Sequence, residues 1–195
     1  FISTAYLTAE VIVIPITGWL AMVFGLRPYM LFNTVIFAIT TLLCASAWNL
    51  ESMLVFRTLA GLAGGTLIPL SFMLILTLLP PSKQAIGMGM FALTATQAPS
   101  IGPTLGGYLT EAFGWQSVFY LQIVPTGIMF LILFQGLKKT KPQFELLKNG
   151  DWFGILSMAV GLGAMIIVLE EGNRKDWLES DFILNGTLLA ATCLI

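Results

Sequence analysis

Histidine is absent from the 195 residues, cysteine occurs only twice, and charged side chains make up just 10% of the chain. Without histidine, and with Cys44 and Cys193 far apart in separate apolar runs, there is no nucleophile–histidine pair, no metal-ligand cluster and no disulfide framework. No catalytic residue, metal site or cofactor is expected. Nine Lys and Arg stand against ten Asp and Glu, so there is no basic excess of the kind that nucleic-acid binding requires. A soluble domain carries about 25% charged residues. A chain that is 57% hydrophobic has too few polar groups to cover itself.

What is present is long apolar runs, and they predict an all-α polytopic membrane protein. A span needs about 20 mainly apolar residues to cross a hydrocarbon core of about 30 Å. Six segments qualify, at 3–24, 29–47, 52–78, 87–112, 115–135 and 152–170, with a seventh cut short from 182. Both ends read as internal. Phe1 opens directly on an apolar run, and "LNGTLLAATCLI" stops before it could cross a bilayer. The expectation is a fragment of a longer membrane protein.

Lysine and arginine set the orientation. Arg27, Lys83, Lys138, Lys139, Lys141 and Lys148 fall in alternate loops, whereas the other loops hold only Arg174 and Lys175 among acidic residues. The loops near 25–28, 79–86 and 136–151 are therefore expected to be cytoplasmic, and the first span to run inward. The tryptophans (Trp19, Trp48, Trp115, Trp152 and Trp177) lie near span ends, where aromatic anchoring at the membrane interface is the first reading.

Two charges, Glu10 and Arg57, fall inside spans. An unpaired ionisable group at membrane depth costs from ~3 to more than ~10 kcal/mol. Counting along each span at about 1.5 Å per residue puts both roughly 8–10 Å below the external edge. Equal depth and opposite sign predict a pair, or two members of one polar network.

Glycine and proline are concentrated in two spans. In "RTLAGLAGG", Ala60 and Gly64, and likewise Gly61 and Gly65, are four residues apart and form small-residue strips where helix backbones can approach. In "TATQAPSIGPTLGGYL", Ala95, Ala98, Gly102 and Gly106 fall within an arc of about 80° on a helix. Pro99 and Pro103 free the carbonyls of Ala95 and Pro99 and predict a bend. Thr94, Thr96, Gln97, Ser100 and Thr104 are placed to satisfy those groups, directly or through water.

These residues match a known pattern. "GMFALTATQAPSIGPTLGGYL" resembles the antiporter motif on the fifth helix of major facilitator superfamily drug:proton exchangers. Gly89, Gly102, Pro103, Gly106 and Gly107 match over nineteen positions, and Ala98 replaces the second glycine with another small residue. "RTLAGLAGG" is similar to the fourth-helix motif through Arg57, with Ala60 where glutamine is usual. "GWLAMVFGLRP" is similar to the loop motif between helices two and three. Gly18, Gly25 and Arg27 match there, but Met22 and Val23 stand where a charged pair is common. That departure weakens the charge lock which the motif supplies in the family. "GTLIPLS", the "W..VF...VP.G" pattern and a "DW.GI" start to the seventh helix resemble the EmrB/QacA-like branch with fourteen spans.

The resemblance implies that residues 1–135 are family helices two to six, that 136–151 is a cytoplasmic basic linker, and that 152–195 holds helices seven and eight, the connector between two bundles. Helix one and the C-terminal half would lie outside this chain. It further implies alternating access about a midplane site, with inward proton flow driving efflux of amphipathic drugs or similar small molecules across the cell (inner) membrane. Arg57, through its motif, and Glu10, the only carboxylate in a span, are the expected proton-coupling residues, and the antiporter motif is expected to pack helices. The proton gradient supplies the energy, so no cofactor is needed. Similar exporters in double-membraned bacteria dock with a periplasmic adaptor and an outer-membrane channel, which makes these the partners to test. The alternative is a transporter-fold importer, facilitator or sensor for another solute.

Overall fold

The computed structural model describes residues 2–138, 142–148, 150–175, 177 and 180–194. Lys139 and Lys141 of the expected basic linker lie outside the described residues, as does the side chain of Lys148. The described chain is all helical: α1 (Ile2–Phe24), α2 (Leu26–Ala45), α3 (Leu50–Leu78), α4 (Pro81–Phe113), α5 (Gln116–Gly136), the single turn α6 (Glu145–Lys148), α7 (Trp152–Glu171) and α8 (Asp181–Leu194). Among the described residues, five helices are long and apolar enough to cross a membrane, namely α1, α2, α3, α5 and α7 with its 3-10 extension. A bilayer is the environment that accepts them, because a helix satisfies its own backbone groups where no water can.

α4 corrects one expectation. It is the longest helix at 33 residues, but its glycine, threonine, serine and proline dilute its apolar content, so it is not among the five apolar spans. Its start also differs. The segment 79–86 is expected as a loop, yet helix begins at Pro81, and Lys83 sits on the first turn. Proline suits that first position because the donor it lacks would be unpaired there anyway.

The turns are set by individual residues. Gly25 joins α1 to α2 in a single step at φ 85°, a backbone region costly to side-chain-bearing residues. This one-residue turn starts α2 three residues before the expected position. Asn49 caps α3: its side chain accepts from the Ser52 amide at 2.6 Å, and Ser52 Oγ accepts from the Asn49 amide at 3.2 Å. Asn49→Ala is expected to cost about 1 kcal/mol, read as a lower thermal midpoint of the purified full-length protein.

Helix packing is uneven. α1 packs most heavily on α3, α2 lies against α3 and α5, and α7 pairs with α8 and touches α1. Among the described residues α4 makes its main contacts, light ones, with α3 and α5, and buries none of its residues. One apolar core joins Ala21, Met30, Leu70 and Leu133 near the α1–α2 turn, and a second joins Cys44, Ala45 and Phe119 at the opposite end. Cys44 and Cys193 are free thiols. Trp19 meets Trp152 edge-on, with centroids 5.4 Å apart, so these two pack the base of α7 against α1.

Candidate functional site around Arg57

The site begins with two glycines. Along the α3 face toward α1, a Cβ at Gly61 would collide with the Tyr6 carbonyl, and one at Gly65 would lie 2.5 Å from the Glu10 carbonyl oxygen and 2.8 Å from its Cα. Only hydrogen fits between these backbones, which is how small residues drive helix association in lipid. The predicted strip of Gly61 and Gly65 is therefore the α1–α3 seam and sets the register of the two helices, whereas Gly64 of the other strip faces the Tyr6 hydroxyl and the Phe37 ring of α2.

That register brings Tyr6 to Arg57. The guanidinium lies over the Phe119 ring of α5, 4.7 Å from its centroid, and 5.7 Å from the centroid of Tyr6. Cation–π contact of this kind contributes ~2 kcal/mol or more where water is excluded. A cavity of about 40 Å³ adjoins it, lined by Tyr6, Thr41, Cys44, Arg57, Phe119 and Gln122 among others. Arg57 Nε is buried and has no hydrogen-bond partner among the described residues. The cavity beside it has room for a water molecule between these polar side chains.

Glu10 requires a correction. Its backbone is level with Gly65, eight residues beyond Arg57 on α3, or about 12 Å along the axis. Equal depth, as predicted by counting from span ends, does not hold. The two side chains form no ion pair; among the described residues the recorded bridge is Arg174–Glu171. Tyr6 lies between them, one turn from Glu10 on α1 and with its ring facing Arg57. Tyr6, Phe119 and Gln122 went unnoticed in sequence. Two signals were present: Tyr6 precedes Glu10 by four residues, and Phe119 is the phenylalanine of the "W..VF" stretch.

The α4 groove is open. A Cβ at Gly89, Gly102, Gly106 or Gly107 would meet no described atom within 4 Å. Ala98 lies on the same exposed helix, which continues unbroken through Pro99 and Pro103. The hydroxyls of Thr94, Thr96 and Ser100 bond to the carbonyls of Met90, Ala92 and Leu93, and Thr96. These hydroxyls do not bond directly to the Ala95 and Pro99 carbonyls freed by the prolines, which leaves the water-mediated route of the two expected. The groove is thus bare of side chains and uncovered by the described helices.

Of the loop-motif residues, Gly25 makes the positive-φ turn, Gly18 has no atom near its missing Cβ, and Arg27 ties two helices together. Arg27 Nη2 donates to the Phe134 carbonyl at 2.7 Å, and its guanidinium stands 5.4 Å from the Phe134 ring centroid. That carbonyl is in the last turn of α5, where backbone acceptors lack helical partners and cations are favoured. Where the usual charged pair is missing, Val23 is fully buried. Its carbonyl accepts from the Gln143 amide at 2.7 Å, while Phe24 meets Phe144 edge-on at 6.0 Å. The linker segment itself closes this corner.

Comparison with known proteins places this geometry in context. The Major Facilitator Superfamily profile matches residues 1–194. The chain is 39% identical over 178 residues to the colistin resistance protein EmrB of Acinetobacter baumannii, covering 91% of this chain and 35% of that protein. It is 33% identical over 195 residues to the multidrug export protein EmrB of Escherichia coli (strain K12), covering 100% of this chain and 38% of that protein. With the fatty acid resistance protein FarB of Neisseria gonorrhoeae it shares 32% identity over 194 residues, again 100% and 38%. The chain thus spans between a third and two fifths of the length of these relatives.

Proposed function

The chain belongs to the Major Facilitator Superfamily, a family of transporters and not of enzymes, and from that premise we propose that it is part of a proton-coupled exporter of amphipathic small molecules. It is a multi-pass membrane protein related to multidrug export proteins. The observation that carries the finer reading is Arg57: a guanidinium at membrane depth, stacked between Phe119 and Tyr6, with a buried Nε that has no hydrogen-bond partner among the described residues. Such a group stabilises a nearby anion and destabilises a nearby cation. It is suited to a cycle in which a carboxylate alternately holds a proton and yields it as substrate binds. Glu10, two turns deeper across Tyr6, is the carboxylate of this chain that the cycle would use; further carboxylates would come from helix one.

In this reading the basic loops face the cytoplasm, the membrane is the inner membrane, and two bundles rock about the site to expose it to each side in turn. The bare α4 groove supports the rocking motion, since a surface without side chains lets a second helix approach closely and slide. Substrates of the kind named for the relatives, drugs or fatty acids, come to this chain only through that similarity; a periplasmic adaptor and an outer-membrane channel are partners that the exporter reading leaves to be tested.

Whole-cell efflux tests the reading. Cells producing the full-length protein should accumulate less of an amphipathic cationic dye, and a protonophore should remove the difference. Gly102→Leu should cut dye efflux at least about ten-fold by filling the groove, with membrane yield unchanged. Dye efflux indifferent to the protonophore would refute proton coupling, and full efflux by Gly102→Leu would remove the groove from the cycle.

A further inference from the structure

A second cavity, of about 800 Å³, lies at the basic-loop end of the bundle. Its walls are the α1–α2 turn, the ends of α3 and α5, and the docked linker. Its volume is in the range of small-molecule sites, roughly 300–1,000 Å³. Arg27, Lys138, Gln143 and Thr77 supply the polar part of the lining, and Met73 and Leu78 belong to the apolar part. No described lining residue carries a carboxylate, so two cations face one open space without an acidic counterpart.

Two of the polar groups are held in place. Arg27 is fixed by one hydrogen bond to the Phe134 carbonyl at 2.7 Å, which leaves most of the five guanidinium donors free for a ligand. Gln143 is anchored through its backbone to Val23. A guanidinium fork, an ammonium and a side-chain amide together match the oxygens of a phosphate ester. The rim then turns apolar. Leu78 lines the cavity and is 59% exposed, and Phe134 is 54% exposed. Both leave bare hydrocarbon beside the cavity among the described residues. A soluble anion has no use for that rim, whereas a phospholipid places its chains there.

We propose that this cavity binds the headgroup of an anionic phospholipid from the leaflet on the basic-loop side. The headgroup contacts Arg27 and Lys138, and the acyl chains run along Leu78 and Phe134. Each basic side chain near an anionic headgroup is worth about a five-fold preference over a neutral lipid. Lipid bound here bridges the turn between α1 and α2, the end of α5 and the linker. The site rests on the membrane reading and not on export, so a transport failure does not decide it.

Native mass spectrometry of the full-length protein, titrated with phosphatidylglycerol, phosphatidylcholine and glycerol 1-phosphate, tests the site. Phosphatidylglycerol should bind in preference to phosphatidylcholine, and Lys138→Gln should lower that preference about five-fold. Arg27→Gln should do the same. Since it also cuts the Phe134 bond, the exposed Lys138→Gln carries the decision. Glycerol 1-phosphate at equal concentration should not displace the lipid. An unchanged preference in Lys138→Gln overturns the proposal, and so does displacement by glycerol 1-phosphate, which would make the cavity a soluble-anion site.

Discussion

Arg57→Ala in the full-length protein is expected to abolish proton-coupled efflux while leaving membrane insertion, yield and thermal midpoint intact. The two halves of this expectation have one cause. Taking a guanidinium out of water costs several kcal/mol, so removing this side chain, whose Nε is buried, relieves a penalty as it forfeits the stacking on Phe119 and Tyr6. Stability therefore changes little. Transport fails because the charge that biases the coupling carboxylate is gone. Arg57→Lys separates charge from shape: lysine keeps the cation but lacks the planar face that lies over Phe119. Its activity should fall at least about ten-fold, equivalent to ~1.4 kcal/mol. Normal coupled efflux in Arg57→Ala would remove the residue from the mechanism. A large loss of yield would make it structural.

Gly65→Leu should have the opposite profile, with loss of the folded protein before any question of transport arises. A Cβ there would lie 2.5 Å from the Glu10 carbonyl oxygen and 2.8 Å from its Cα, and backbone cannot rotate away as a side chain can. Overpacking in a core costs about 1–3 kcal/mol when side chains can yield. Here α1 itself must move off α3, so the cost should exceed ~3 kcal/mol. Gly61→Leu should behave alike, since it meets the Tyr6 carbonyl and Ala9 Cβ. Fluorescence-detected gel filtration of the full-length variants reads the result. A monodisperse peak at normal yield for Gly65→Leu would mean that α1 and α3 do not make this seam.

Both predictions concern α3, and they show what its sequence disclosed. An arginine followed by a glycine run was visible as a motif and as two small-residue strips. The partner of those strips was not, because small residues report only that some backbone comes close. Once α1 is seen to be the partner of the Gly61–Gly65 strip, with Phe37 of α2 over Gly64, register follows, and Glu10 falls about 12 Å from Arg57 along the axis. Counting from span ends missed this by assuming that every span enters the membrane at the same plane.

The spans themselves were legible because a bilayer demands about 20 apolar residues, a requirement no tertiary contact can override. α4 is the instructive exception. Its groove was plain in the spacing from Gly89 to Gly107, but the same glycines, prolines and hydroxyl residues lowered its apolar content and concealed its early start at Pro81. The loop motif failed in a different way. Met22 and Val23 announced that a charge lock was missing, and nothing in the spacing said that Gln143 and Phe144, some 120 residues on, would close the corner instead. Local chemistry was readable, and contacts between distant segments were not.

The central claim is that the full-length protein exchanges protons for an amphipathic substrate. Reconstituted into liposomes loaded with a pH-sensitive dye, the protein should accumulate a cationic substrate when a proton gradient is imposed. Adding substrate alone should in turn move protons, and Arg57→Ala should do neither. Substrate that merely equilibrates at the same rate with and without the gradient, and moves no protons, would contradict the account and make the protein a facilitator.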